Sequence, residues 1–292
     1  MELPLELLRT IDVIVSTGSL EDAAAELSIT PSAVSQRLKA LETRVGRVLV
    51  VRSKPVRATA DGQVLIRLAR QLATLEHDTL ASLGLGEDGP VEVPLAVNAD
   101  SLATWFLPAL APLATDIVFD LHRDDQDYTV GLLESGTVTA AVTSQAQPVA
   151  GCSVRPLGAM RYLPVAAPGF YQRWFEGTPA VEAFGRAPAI DFDRRDDLQT
   201  RYLITRGVDP ALPPRHHVPA SHDFASAVLL GMGWALIPEQ QSRPALADGR
   251  LVGLGGAPVD VQLYWQRWKL ASELLTRIED AVVSAARSAL RQ

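Results

Sequence analysis

The 292-residue chain has a net charge of −7 and is 47% hydrophobic, which is typical of a globular protein with about two domains. It has no uninterrupted apolar run of the roughly 18 residues that a membrane-spanning helix needs. Its acidic N-terminus, MELPLELL, is unlike a signal peptide. The single cysteine, Cys152, excludes an internal disulfide framework and favours a reducing compartment. We therefore expect a cytoplasmic protein with no membrane partner.

Positive charge is concentrated near the N-terminus although the whole chain is acidic. Residues 31–60 contain seven lysines and arginines and one acid, Glu42, whereas acids outnumber bases in residues 61–292. A local cluster of cations is the electrostatic signature of a nucleic-acid-binding surface. The pattern therefore predicts a DNA-binding segment attached to an acidic bulk.

Two short helices joined by a tight turn are predicted for residues 19–46. Ser19 and Thr30-Pro31 are typical helix starts, with a hydroxyl at the cap and proline at the first helical position. Gly46 is typical of a helix end. An upstream helix over residues 5–15 would cover this pair. The second helix has one stripe that we expect to be buried, formed by Val34, Leu38, Leu41 and Val45.

Polar side chains occupy a different stripe of that second helix. Hydroxyls, an amide and cations there suit base edges in the major groove and the flanking phosphates. The residues predicted to contact DNA from this segment are Thr30, Ser32, Ser35, Gln36, Arg37 and Lys39. A generic three-helix bundle with a solvated polar face is the alternative that the spacing leaves open.

A β-hairpin is predicted directly after this helix. Residues 49–51 are β-formers, Lys54-Pro55 is a turn, and the chain is extended again from Val56. As the wing of a winged helix, the hairpin would place Arg52, Lys54 and Arg57 beside the phosphate backbone or in the minor groove. An ordinary surface hairpin with solvated cations is the alternative.

Residues 3–65 resemble the N-terminal winged helix-turn-helix of LysR-type transcriptional regulators. The matching run is GSLEDAAAELSITPSAVSQRLKALETRVG, followed by a hydrophobic pair, an arginine and the segment ATADG. Val50 departs from the family pattern, which usually has phenylalanine there. The resemblance implies a DNA-binding regulator that forms homodimers or homotetramers and affects RNA polymerase at a promoter.

A connecting helix of about 34 Å is predicted for residues 60–83. Its leucines follow the a/d rhythm of a coiled-coil seam, at Leu65, Leu68, Leu72 and Leu75. A stripe this narrow favours pairing with a second copy, with packing on the chain's own C-terminal domain as the alternative. A homodimer would bind a pseudo-palindromic duplex operator. Residues 1–60 would then be the DNA-binding domain, and residues 61–90 the dimerisation helix and hinge.

Strands and helices alternate through residues 91–292, which predicts an α/β fold with helices on both faces of an open sheet. The length favours two lobes, one of residues 91–145 and 260–292 and the other of residues 146–259. The LysR resemblance implies the same arrangement, a two-lobed, periplasmic-binding-protein-like effector domain around a ligand cleft.

A ligand site is expected beyond the carboxyl ends of the strands, where helix N-termini present free amides. Hydroxyls there suit a carboxylate and aspartates suit a cation, so the combination suggests an amino acid with a basic side chain. Helix capping is the alternative for each aspartate, and burial in the core is the alternative for the tryptophan. The predicted effector-binding residues are Asp100, Ser101, Asp124, Thr143, Asp223 and Trp265.

Two segments, NADSLATWF and DIVFDLHRDDQDYTVGLLESGTVTAAVTS, resemble the branch of the LysR family that contains the ArgP and LysG regulators. That branch senses lysine, arginine and in some members histidine, and controls exporters of basic amino acids. The resemblance implies the same for this chain, with Asp100 or Asp124 binding the ligand's cation and Ser101 and Thr143 its carboxylate. Members that affect replication initiation leave an alternative, an architectural DNA-binding protein or replication-initiation inhibitor without a small-molecule response.

Enzyme motifs are absent from the sequence. There is no GxSxG, HExxH or GxxxxGK[ST] motif and no paired-cysteine spacing. The cluster His216-His217 and His222 has no carboxylate at metal-ligand spacing. We therefore predict no catalytic residues, no metal site and no cofactor besides the effector amino acid.

Overall fold

The computed structural model describes residues 2–85, 89–123 and 126–292, with residues 126–128 described by their backbone alone. The first of these segments forms three helices, a hairpin and one long helix. In chain order they are α1 (Leu5–Thr17), α2 (Leu20–Glu26), α3 (Pro31–Val45), β1 (Val50–Val51), β2 (Arg57–Ala58) and α4 (Ala60–Ser82).

The helix starts and ends of this part follow from local chemistry. The Ser19 side chain accepts a hydrogen bond from the backbone amide of Asp22, and Thr30 accepts one from that of Ala33. Gly46 has φ +70°, in the left-handed region that ends helices. The predicted helix-turn-helix and its hairpin are confirmed.

One core joins α1, α2, α3, the hairpin and the start of α4. The predicted stripe of α3 is buried except for the half-buried Val45. The first half of the leucine stripe of α4 packs on this same core, with Leu65 buried and Leu68 and Leu72 half-buried. The N-terminal helices of the same chain therefore cover the start of that stripe. Pairing of α4 with a second copy stays a prediction.

The rest of the described chain is an α/β unit built on strands β3 (Val91–Val97), β4 (Ile117–Arg123), β5 (Ala140–Thr143), β6 (Cys152–Ala166), β7 (Ala189–Asp191), β8 (Arg215–His217), β9 (Ala235–Pro238), β10 (Val252–Gly253) and β11 (Val259–Trp268). Seven of them form a sheet in the order β10–β6–β11–β5–β3–β4, with β9 beside β6. β3 runs parallel to β4 and β5. β11 runs antiparallel to β5 and β6, and β7 pairs in parallel with β8.

The helices of this unit include a composite segment of α5 (Ala99–Ser101), a π-helical turn (Leu102–Phe106), α6 (Leu107–Leu110) and a 3-10 turn (Ala111–Leu113). The others are α7 (Gln126–Glu134), α8 (Pro168–Trp174), α9 (Ala180–Arg186), α10 (Leu198–Thr205), α11 (Ser221–Leu229), α12 (Glu239–Ala247) and α13 (Glu273–Ala289). No helix among the described residues has the length and apolarity that crossing a membrane requires.

Several elements of this unit were not predicted, among them the short strands β8 and β10. The strand expected near residue 162 is the second half of β6, which begins at Cys152, because Pro156 and Gly158 interrupt the apolar pattern of the first half. The short helices α8, α9, α10 and α12 have too few turns to show a periodicity. The α/β class is confirmed, while the lobe boundaries stay a prediction.

Candidate nucleic-acid interface and ligand cavity

The start of α3 and the hairpin present the polar face that the sequence predicts. Thr30, Ser32, Ser35, Gln36 and Lys39 are exposed. The Thr30 hydroxyl also caps α3, so it has a structural role whether or not it meets a phosphate. The hairpin adds exposed cations at Arg52, Lys54 and Arg57.

Arg37 differs from the other predicted DNA contacts. Its side chain is 31% exposed and its Nη2 lies 3.2 Å from Oε2 of Glu6 in α1. Among the described residues, no acidic side chain lies at ion-pair distance from Lys39, Arg52, Lys54 or Arg57. Arg37 therefore holds α1 to α3, and the other four cations are available to phosphates.

A cavity of about 290 Å³ lies beyond the carboxyl end of β3. This volume is at the small end of ligand pockets, which run from about 300 to 1,000 Å³. Segments from both predicted lobes line it, namely Asn98–Asp100 after β3, Tyr162 of β6, Phe192 after β7, Asp196–Gln199 at the start of α10, and Phe224 of α11. The cavity therefore suits a molecule of amino-acid size.

Asp100 supplies a half-buried carboxylate to this cavity. It accepts hydrogen bonds from Tyr162 Oη at 2.8 Å and from Ser221 Oγ at 2.7 Å. Gln241 Nε2 donates in turn to Ser221 Oγ at 3.0 Å. Burial is the largest cause that raises the pKa of Asp100, the two hydrogen bonds oppose it, and the charge of Asp196 adds to it. A cation placed in the cavity would relieve the cost of burying this charge.

Asp196 and Gln199 line the opposite side of the cavity. The Asp196 carboxylate accepts from the backbone amides of Phe192 and Leu198, both at 3.0 Å. Gln199 Nε2 donates to Ile190 O at 2.7 Å. These bonds hold the start of α10 in place, so the Asp196 carboxylate has a fixed position.

Two amide oxygens beside these carboxylates are buried without a partner in the described chain, Asn98 Oδ1 and Gln199 Oε1. A buried acceptor without a donor is costly, by about 1–3 kcal/mol. Guanidinium and ammonium groups supply donors only and pair well with carboxylates. Unpartnered acceptors and carboxylates around one small cavity therefore favour a ligand that carries several N–H donors and a positive charge.

The structure brings only part of the predicted effector-binding set to the cavity. Asp100 lines it, and Ser101 lies next to it with a buried hydroxyl that has no partner in the described chain. Thr143 is buried and accepts from the Gln145 amide, and it does not line the cavity. Asp124 lies outside the described residues.

The positions of Asp223 and Trp265 argue against a direct contact with a ligand in this cavity. Asp223 is exposed on the outer side of α11. Trp265 is 1% exposed and packs beside Phe106, their ring centroids 6.4 Å apart. Trp265 is therefore a core residue, which was the alternative to a ligand contact. Alternate residues of a central strand face the apolar side of the sheet.

Tyr162, Asp196 and Gln199 were missed as cavity residues. The DRRDD run at 193–197 after the strand PAIDF was the available signal, since carboxylates at a strand end mark a ligand edge. Tyr162 gave no signal, because its partner Asp100 is 62 residues away in the chain.

Comparisons with known proteins agree with both parts of the structure. Residues 5–63 match the family described as bacterial regulatory helix-turn-helix protein, lysR family, and residues 92–287 match the LysR substrate binding domain. The lysine export transcriptional regulatory protein LysG of Corynebacterium efficiens is 48% identical, over 97% of this chain and 98% of its own length.

Two solved structures are similar over nearly the full length. ArgP from Mycobacterium tuberculosis has a TM-score of 0.90 at 43% identity, with 99% of both chains covered. Full-length LysG from Corynebacterium glutamicum with bound effector Arg has a TM-score of 0.81 at 40% identity, covering 99% of this chain and 100% of that chain. The resemblance and the fold predicted from the sequence are confirmed.

Proposed function

The chain belongs to the LysR family of bacterial helix-turn-helix regulators, and we propose that it binds a pseudo-palindromic operator and changes that binding when a basic amino acid occupies its cavity. The ligand is lysine or arginine, with histidine as a weaker one. The regulated gene encodes an exporter of basic amino acids. The protein acts as a homodimer or homotetramer on the nucleoid, and its bound position governs RNA polymerase.

The half-buried Asp100 carboxylate in the wall of the cavity is the observation that carries this proposal. A cationic side chain entering the cavity would meet Asp100 together with the acceptor oxygens of Asn98 and Gln199. The ligand's carboxylate needs donors: Arg201 lines the cavity, and Ser101, next to Asp100 in the chain, has a buried hydroxyl without a partner among the described residues. The bound arginine of the C. glutamicum LysG structure supports this choice of ligand.

Calorimetric titration of the full-length protein tests the ligand class. Titration with lysine or arginine should give a saturable one-site binding isotherm. Histidine should bind more weakly. Leucine, which has the same backbone groups and no cation, should not bind. Binding of leucine as tight as that of arginine, or no binding of any of the four, would contradict the proposal.

An architectural DNA-binding protein without a small-molecule response remains the second candidate. The exposed cations of α3 and the hairpin would serve it equally well. The cavity lined by carboxylates would have no purpose in such a protein. DNase footprinting of the operator with and without arginine separates the two, because only a regulator with an effector should change its protected pattern.

A further inference from the structure

Arg70 of α4 joins the two parts of the molecule through one guanidinium group. Its Nε donates to Asp12 Oδ1 of α1 at 2.7 Å. Its Nη1 donates to the carbonyl oxygens of Gly136 and Thr137, at 2.8 and 3.1 Å, in the turn before β5. The Arg70 and Asp12 side chains are 23% and 25% exposed, so salt screens this pair much less than a surface pair.

Two glycine turns of the α/β unit fit closely against Arg67, one turn earlier in α4. Gly136 has φ +75°, and a Cβ there would lie 2.7 Å from Arg67 Cα. Gly151 also has φ +75°, and its Cβ would lie 2.9 Å from Arg67 Nη2, which donates to Ala150 O at 2.7 Å. Only glycine tolerates this backbone conformation and this approach together. The contact between α4 and the α/β unit is therefore specific in shape at two separate turns.

The rest of the contact between α4 and the α/β unit is loosely packed. A cavity of about 620 Å³ lies beside the Arg70–Asp12 pair, among α1, α4, β3, β4 and α13. Groups that border a void lack the dispersion contacts that would fix the angle between two packed elements. The hydrogen bonds of Arg70 and Arg67, together with the one from Leu274 N to Asp78 Oδ1 at 3.3 Å, therefore set that angle.

We propose that Arg70 is the positioning residue that transmits the state of the ligand cavity to the DNA-binding helices. The turn that it binds leads directly into β5, which pairs with β3, and β3 ends at the cavity residue Asn98. On the other side, α1 holds α3 through the ion pair of Glu6 with Arg37. A movement of β3 and β5 reaches α1 and α3 through the Arg70 guanidinium, which is the contact that bonds to α1 and to the turn before β5 at once. The inference rests on the proposed response to a basic amino acid.

Operator affinity with and without saturating arginine, measured on full-length variants, tests the coupling. Arg70→Gln should leave the affinity for arginine within about twofold of wild type. The ratio of operator Kd with and without arginine should shrink by about threefold or more. That factor lies within the range by which single mutations alter the coupling between two sites. Arg70→Lys should reduce the arginine-induced change in operator Kd by a similar factor. One ammonium group lacks the planar fork that reaches Asp12 and the two carbonyl oxygens together.

Arg277→Gln is the matched control. Arg277 lies on α13 and pairs with Asp116 within the α/β unit, at 2.9 Å, so it should keep the wild-type response. A wild-type response in both Arg70 variants would overturn the inference.

A distance measurement separates this inference from the choice of effector. Spin labels are placed at the exposed positions Glu26 and Val181 after Cys152→Ser, and labelled chains are diluted with unlabelled ones. The intact Arg70 contact should give one narrow distance distribution, and Arg70→Gln and Asp12→Asn should each broaden it. Unchanged distributions would overturn the role of Arg70. Broadening in the variants, with no effect of arginine on wild-type DNA binding, would contradict the proposed function instead.

Discussion

Asp100 is the side chain on which the proposed response to a basic amino acid depends most. Its carboxylate is half-buried and already accepts from Tyr162 and Ser221, so its position is fixed before a ligand arrives. A fixed, desolvated carboxylate attracts a cation more strongly than an exposed one. Asp223 offers a comparison, because it is the same residue type on α11 but is exposed and does not line the cavity.

Asp100→Asn should therefore weaken arginine binding by about 2 kcal/mol or more, since it removes one charge of a buried ion pair. Asp223→Asn should leave the affinity unchanged. Calorimetric titration of both variants with arginine measures the difference. Equal losses in the two variants would mean that the site lies elsewhere.

The raised pKa of Asp100 predicts a dependence of stability on pH. Because burial holds this pKa above that of the unfolded chain, ionisation of Asp100 costs the folded state free energy as pH rises through the folded pKa. The free energy of unfolding of wild type, relative to Asp100→Asn, should therefore increase as pH falls through the folded pKa towards the unfolded value of about 4.

Urea denaturation at several pH values measures that relative free energy, with Asp223→Asn as the reference that should show no such trend. Arginine affinity should weaken over the same pH range, because the protonated carboxyl no longer pairs with a cation. If wild type instead lost stability relative to Asp100→Asn on acidification, the raised pKa of Asp100 would be contradicted.

At the scale of elements, α3 and the hairpin have different tasks on DNA. Gln36 faces outward near the start of α3, where an amide can bond to the edge of a base. Arg52 is exposed in the hairpin, where a cation meets phosphates of any sequence. The two elements should therefore respond differently to the operator sequence and to salt.

Gln36→Ala should cost about 1–3 kcal/mol at one base position and relax specificity there. Arg52→Ala should weaken binding to all operator variants alike and reduce the salt slope by about one. Binding to a set of operator variants at several salt concentrations distinguishes these outcomes. If the two variants behaved identically, the assignment of reading helix and wing would be wrong.

The start of α4 packs closely against the start of the hairpin at Gly62. A Cβ at Gly62 would lie 2.0 Å from the backbone oxygen of Leu49, so Gly62→Ala should destabilise the protein by about 1–3 kcal/mol through overpacking. Gly131 of α7 is the control, because a Cβ there meets nothing within 4 Å, and Gly131→Ala should stabilise slightly. Thermal unfolding measures both, and equal shifts in the two variants would contradict the close packing at Gly62.

Local sequence signals made the N-terminal elements predictable. The cavity residues of β6 and α10 gave no such signal and were missed. Ser19, Thr30 and Gly46 act on amides or torsions within a few residues, so their roles can be inferred from neighbouring letters. The cavity depends on β6 and α10 meeting β3 across the sheet, which no local pattern specifies. Asp100 was predicted because it follows a strand, whereas Tyr162 was missed because it lies inside one.

For the whole molecule, an acidic α/β unit is joined to a cationic winged helix-turn-helix by α4. The net charge of −7 opposes attraction to DNA over long distances, so binding depends on the local cations of α3 and the hairpin. A ligand shifts such an assembly only by its differential affinity for the two states. The response of DNA binding therefore measures how far the cavity and the DNA-binding helices are linked.

The most direct measurement of that link is an operator footprint of the full-length protein, with and without arginine, in wild type, Asp100→Asn and Asp223→Asn. The account predicts that arginine changes the protected pattern of wild type and Asp223→Asn and leaves that of Asp100→Asn unchanged. The same arginine-dependent change in all three proteins, or no change in wild type, would contradict it.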